Sequence, residues 1–178
     1  MQPIQDEHVI GVNNVYKIAD WIDACYFGDC GWYKVHRRAL AKWAGLKVTS
    51  CSRFKNKPPE ESEGIKFLEK DSDKRLGLGT DAQRLCWNHN SGAAAINLAV
   101  HLGVKQIRLL GFDMQSDKDE VTHWHGSHGN KRTPPYARHL KGFPQIAEDA
   151  EVLGIEILNV NPESAIEAFP KVTLEEVL

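Results

Sequence analysis

Short apolar runs recur along this chain, and most of them stop on small polar residues. "HVIGVN" ends on Asn13 and Asn14, "DACYFGD" on Asp29, "KQIRLLGFD" on Asp113 and "IEILNVN" on Asn159 and Asn161. Apolar runs of this length, bounded by turn residues, predict buried strands, and "LKVTSC" predicts one more. Helical spacing falls between them. "VYKIADW" predicts a single helical turn. "WYKVHRRALAKW", Trp32 to Trp43, predicts a helix with Val35, Leu40 and Trp43 on one face, stopped at Gly45. "GAAAINLAVHL" predicts a strong helix capped by Ser91 and ended by Gly103, and "FPQIAEDAEVLG" predicts another stopped by Gly154. "PESAIEAF" and "TLEEVL" predict short terminal helices.

The rhythm weakens between Ser52 and Thr80. "RFKNKPPEESEG" predicts a surface loop around Pro58 and Pro59, and "IKFLEK" and "KRLGLG" predict short strands paired with each other. Elsewhere the alternation of strand and helix predicts an α/β fold: a single Rossmann-like three-layer domain over residues 1–178 with a mostly parallel sheet. One long segment, the His-rich loop at 115–141, carries no periodicity; loops of that length tend to be functional.

Composition narrows the partners. A net charge of −2 gives no general pull toward nucleic acid, while leaving room for a local basic patch. No apolar run is long enough to span a bilayer, and "MQPIQDEHVIGVNN" lacks the basic start and apolar core of a signal peptide. Cys25, Cys30, Cys51 and Cys86 form no CxxC pair, which predicts reduced thiols in a cytoplasmic protein.

Ligands of open α/β sheets sit beyond the carboxyl ends of the strands. A parallel sheet would gather Asn13, Asn14, Asp29, Asp113, Asn159 and Asn161 on that edge. The helix beginning at Ser91 would turn its N–H groups and positive dipole end toward it, favouring an anion. Asn90 and Ser91 would hydrogen-bond a phosphate or ribose, and Gly92 would leave room for close approach. The same residue types also serve turns and caps, so the expectation rests on their convergence. The chain contains no GxGxxG and no GxxxxGK(S/T), which argues against an ordinary dinucleotide-binding domain and a P-loop NTPase.

In "THWHGSHGNKRTPPYARH", His123, His125, His128 and His139 stand close in sequence. Imidazoles at this spacing suit a divalent metal with Asp113 as neighbour, or a general base. Lys131, Arg132 and Arg138 in the same stretch suit ligand phosphates. Turn-capping histidines and solvated charges are the plainer reading.

"NSGAAAINLAVHLGVKQIRLLGFDM" resembles a segment shared by the small Rossmann-like bacterial sialyltransferases and the 6-hydroxymethylpterin diphosphokinase-like (MptE-like) proteins. "VIGVNNVYKIADWIDACYFGD" resembles the unit that precedes it there. "DCGWY" and "HWHGSH" are similar to motifs of short proteins encoded by phages and prophages. The resemblance implies a nucleotide-dependent transferase, glycosyltransferase-like or diphosphokinase-like, acting in the cytoplasm (the host's, for a phage protein). It implies a small-molecule nucleotide or nucleotide-sugar partner, and a divalent metal such as Mg or Mn. Asn13, Ser91 and Gly92 would lie near base, ribose or phosphate, and Asp113 near the same cleft. In those families a strand and a GxGPS-type loop precede the Asn-bearing strand. Here only a few residues do, so the expected edge would be exposed and a homodimer would cover it. Two alternatives remain open: a non-catalytic nucleotide-binding protein, and a metal-dependent hydrolase built on "HWHGSH".

Overall fold

All four residues of Ala24–Phe27 are buried, which marks this strand as the centre of a sheet. The computed structural model describes residue 4, residues 6–115 and residues 135–178. In chain order its strands are β1 (Ile10–Val12), β2 (Ala24–Phe27), β3 (Leu46–Thr49), β4 (Ile65–Phe67), β5 (Glu69–Lys70), β6 (Arg84–Leu85), β7 (Gln106–Leu109) and β8 (Glu156–Asn159). Its helices are α1 (Cys30–Leu40), α2 (Ser91–His101), α3 (Tyr136–His139) and α4 (Phe143–Leu153). Every named pair of strands is parallel. The strands form a four-stranded sheet in the order β1-β2-β3-β4 and two separate pairs, β5-β6 and β7-β8. The α/β class and the parallel pairing agree with the expectation; the described strands form three small sheets rather than one.

Side-chain alternation along β2 sorts the core. Cys25 and Phe27 join Trp32, Tyr33 and Leu40 of α1, while Tyr26 joins Ala94, Ala95 and Leu98 of α2. Helix α2 also supplies Ala93 and Ile96 to a cluster with Leu109, Phe143, Ile146 and Ile157. It is therefore apolar around most of its girth and touches both the four-stranded sheet and the β7-β8 pair.

The inward face of α1 differs from the expected one. Phe27 stacks on Tyr33 with centroids 5.5 Å apart, and Trp32 stacks on His36 at 4.4 Å. The buried face thus runs through Trp32, His36 and Leu40, and Val35, about 140° from Leu40 at the helical pitch, is 80% exposed. Trp43 lies beyond the helix, its ring so close to Gly45 that a Cβ there would fall 2.3 Å away.

Three further expectations need correction. Residues 74–79 are a loop rather than a strand paired with "IKFLEK"; β4 pairs with β3, and β5 with β6. The loop's peptide groups are satisfied by side chains instead of a ladder: Gly77 N–H donates to Asn88 Oδ1 (2.7 Å), Leu78 N–H to Asp149 Oδ2 (2.7 Å) and Gly79 N–H to Asn97 Oδ1 (3.3 Å). "PESAIEAF" and "TLEEVL" form turns. Asn159 N–H donates to Pro170 C=O and Val172 N–H to Asn159 C=O, so the tail there spends its backbone on β8. The stretch to Lys141 is not structureless throughout, since α3 and a 3₁₀ turn at Leu140–Gly142 lead into α4.

Cys30 and Cys51 are joined by a disulfide, which corrects the expectation of reduced thiols. They follow the adjacent strands β2 and β3, and their Cα atoms lie 5.2 Å apart, within bridging range. Cys25 and Cys86 are free and buried. Among the described residues no helix is long and apolar enough to cross a membrane.

Candidate anion-binding site

Helix α2 brings the ends of two sheets together. A Cβ on Gly28, just past β2, would lie 3.3 Å from Ser91 Oγ. A Cβ on Gly92 would lie 2.9 Å from the Phe112 ring, just past β7. Asn90 Nδ2 donates to Met114 Sδ at 3.6 Å. The carboxyl ends of β2 and β7 therefore meet at the amino end of α2, as the sequence led one to expect.

Most of the expected ligand residues carry structural duties there. Asn90, not Ser91, caps α2: its Oδ1 accepts from Gly92 N–H (2.8 Å) and Ala93 N–H (3.4 Å). Ser91 is the first helical residue, and two of the N–H groups expected to face a ligand are already used. The small size of Gly92 accommodates Phe112. Asp29 caps α1, accepting from Gly31 N–H at 2.6 Å and Trp32 N–H at 3.4 Å. Asn14 is buried and accepts from Trp32 Nε1 at 2.8 Å. Asp113 accepts from Asn161 Nδ2, and its C=O accepts from Ala165 N–H at 2.9 Å. Asn13 has a left-handed backbone (φ 53°), and its buried Oδ1 has no partner among the described residues. The Asn159 amide is likewise buried and unpartnered among them. His123, His125 and His128, with Lys131 and Arg132, lie outside the described residues.

A second group, immediately before the helix, was not singled out from sequence. Asn88 and His89 are consecutive residues with left-handed backbones, φ 51° and 54°, a conformation that costs energy for both. Asn88 is held by its own side chain: Oδ1 accepts from Gly77 N–H, and Nδ2 donates to Gly77 C=O (3.0 Å) and Cys86 C=O (2.8 Å). That anchor fixes His89 against Trp87, ring centroids 4.0 Å apart, and Lys70 Nζ lies 4.7 Å from the Trp87 centroid.

The electrostatics are one-sided. Burial, and then Arg138, Arg75, Lys141 and Lys70, hold the His89 imidazole below its ordinary pKa. Burial, Arg138 and His89 do the same to His139. None of the four cations pairs with a carboxylate among the described residues. Two half-buried neutral imidazoles thus stand beside four exposed cations at the mouth of α2. Guanidinium and ammonium groups suit an anion such as phosphate, and a neutral imidazole there can accept a proton or donate a hydrogen bond. The same field repels a divalent cation, so these residues do not fit a metal. Among the described residues no three His, Cys, Asp or Glu side chains gather as a metal site.

The sequence signal for this group was faint. "WNHN" abuts the helix start, but the cations come from β5, the 74–79 loop and the segment from α3 to the 3₁₀ turn, which only the fold brings together. Among known proteins, no family model, no curated protein and no solved structure matches this chain.

Proposed function

We propose that the protein is a nucleotide-dependent transferase, glycosyltransferase-like or diphosphokinase-like, that seats the phosphates of a nucleotide or nucleotide-sugar beside the amino end of α2. The observation that carries this reading is the pair of neutral imidazoles, His89 and His139, among Arg75, Arg138, Lys70 and Lys141 at that point. Arg75 and Arg138 supply charge-assisted donors, Ser91 a hydroxyl, and His89 a base. The resemblance of "NSGAAAINLAVHLGVKQIRLLGFDM" to two nucleotide-using families supports the same ligand class. In this reading the chain is a single Rossmann-like three-layer domain. Support comes from β2 and β7, whose carboxyl ends both meet the start of α2, where open α/β sheets hold ligands.

The test is a panel of nucleoside mono-, di- and triphosphates and nucleotide-sugars, titrated by calorimetry against the protein and the double variant Arg75→Met/Arg138→Met. Binding that weakens roughly tenfold or more in the variant supports the site. Equal affinity in both sinks it. Turnover of the ligand that binds, lost in His89→Gln, supports the transferase; binding without turnover of any acceptor class favours a non-catalytic nucleotide-binding protein.

A further inference from the structure

Register carries the side-chain pattern of β2 and β3 just past their ends. Tyr26 pairs with Val48 and Phe27 with Thr49, so Gly28 and Ser50 follow opposite one another. Side chains alternate along a strand, which puts Gly28 on the face of Tyr26 and Ser50 on the face of Val48. Tyr26 and Val48 share one cluster with Ala94, Ala95 and Leu98 of α2. Ser50 therefore faces α2 as well. Gly28 marks the meeting point: its Cβ position lies 3.4 Å from the Tyr26 hydroxyl and 3.3 Å from Ser91 Oγ. The hydroxyls of Tyr26, Ser50 and Ser91 thus gather where β2 and β3 end and α2 begins.

These hydroxyls are not spent on the fold. Tyr26 is 1% exposed and Ser50 3%. Burial pushes the Tyr26 phenol up to about 12, and the nearby Ser50 hydroxyl tempers the rise. Ser50 Oγ is nevertheless buried out of hydrogen-bond geometry with every described group. Ser91 Oγ makes no hydrogen bond to a described residue either. Buried hydroxyls normally have partners, and one left alone is costly. Gly28 is a second, independent sign. Its backbone lies outside the left-handed region, and the nearest atoms to a methyl there would be the two hydroxyl oxygens. Neither the turn nor a backbone clash requires glycine. What the missing side chain leaves open is the approach to Tyr26 and Ser91, and Gly28 and Ser91 are both half-buried, within reach of solvent.

We propose that Tyr26, Ser50 and Ser91, with Gly28 as the floor, bind hydroxyl groups of a sugar ring carried by the ligand, either the ribose of a nucleotide or a sugar to be transferred; this rests on the phosphate seat proposed above. Hydroxyls donate and accept alike, as those of a sugar do. A site backed by two buried side chains also admits a neutral group at far lower desolvation cost than a phosphate dianion. Phosphates seated at His89, two residues ahead of Ser91, put the attached ring next to that hydroxyl. The subsite then separates nucleotides and nucleotide-sugars from the same phosphates without a sugar.

Calorimetry tests the subsite with inorganic pyrophosphate, the common ribonucleoside 5′-diphosphates, their 2′,3′-dideoxy counterparts and their glucose conjugates. The variants are Gly28→Ala, which fills the floor, and Tyr26→Phe/Ser50→Ala, which removes two hydroxyls and little volume. For a bound ribose, the dideoxy probe binds about three- to tenfold more weakly than its parent, as the loss of a hydrogen bond predicts, and both variants erase that difference. For a bound transferred sugar, the glucose conjugate binds about three- to tenfold more tightly than the diphosphate, and both variants erase that gain. Pyrophosphate binds these variants as it binds the parent, and weakens only in Arg75→Met/Arg138→Met. Three results overturn the proposal. Sugar discrimination absent from the parent, or intact in both variants, returns the hydroxyls to a structural role, while pyrophosphate binding keeps the basic site. Pyrophosphate weakened by Tyr26→Phe/Ser50→Ala makes the hydroxyls phosphate ligands instead. Pyrophosphate and nucleotides that fail to bind at about 10 mM remove the basic site and the sugar subsite together.

Discussion

Gly142 lies directly against Asn88: a Cβ at position 142 would fall 2.8 Å from Asn88 Oδ1 and 3.0 Å from Asn88 Cβ. The contact couples the approach to α4 with the anchor of the 74–79 loop. Gly142→Ala is compatible with its backbone (φ −81°) but must displace a side chain that makes three hydrogen bonds. We expect a loss of roughly 1–3 kcal/mol from overpacking. Asn88→Ala should cost more, about 3 kcal/mol or above, because it strands the N–H and C=O of Gly77 and the C=O of Cys86 in the interior. Urea unfolding checks both. A Gly142→Ala protein as stable as the parent would mean that the anchor yields freely.

The cap of α2 gives a sharper comparison. Asn90→Ala should cost roughly 0.5–2 kcal/mol, since Gly92 and Ala93 N–H lose their acceptor. Ser91→Ala, at the first helical position and not the cap, should be neutral or gain a few tenths by helix propensity. Unfolding curves in which Ser91→Ala costs more than Asn90→Ala would move the cap to Ser91.

The strands and helices could be read from sequence where the signal was local. "ACYF", "LKVT" and "EILN" are apolar or branched runs between turn residues, and all three became strands. Gly103 and Gly154 stand in the left-handed conformation expected of helix stops. Failures came where partners are distant or neighbours compete. Asn90 and Ser91 are both good caps, and spacing could not choose between them. "KRLGLG" looked like a strand because its satisfaction by Asn88, Asn97 and Asp149 depends on side chains from α2, α4 and the approach to α2. Val35 and Leu40 are both apolar, but Trp32 and Tyr33 set the inward face of α1 by their size. The expected ligand residues did converge in part, yet Asp29 and Asn90 are used as helix caps and Asn14 and Asp113 in local hydrogen bonds. The basic cluster escaped notice because its members come from separated segments.

Breaking the Cys30–Cys51 link should matter for stability. The bridge closes a separation of 21 residues, and loop-closure entropy for that length is worth about 3 kcal/mol. At roughly 2–4 °C per kcal/mol for a chain of this size, reductant or the Cys30→Ser/Cys51→Ser pair should lower Tm by about 6–12 °C. Free Cys25 and Cys86 should not confuse the result, since burial pushes their thiols up to about 12 and about 11. A Tm unchanged by reductant, with two extra thiols counted by a thiol reagent, would show that the bridge does not stabilise the native state.

The histidines beside α2 tie stability to pH with a definite sign. Folding holds His89 and His139 below the ordinary value of 6.5, through burial first and neighbouring cations second. The unfolded chain therefore binds protons more readily, and its advantage grows as pH falls. Their contribution is fully present above about pH 6.5 and is lost as pH falls from there through the lower folded values, a window that opens above the ordinary carboxylate range. Bound phosphate reverses the balance at the site, because a dianion favours the imidazolium. Two results should appear together. Tm should fall between about pH 7 and about pH 5, less so in a His89→Gln/His139→Gln protein. In NMR titrations, adding phosphate should raise the midpoints of both imidazoles, and Arg138→Met should blunt the phosphate-induced rise. Midpoints unmoved by phosphate and by the arginine change would remove the anion from this site and leave His89 as a strained but purely structural residue.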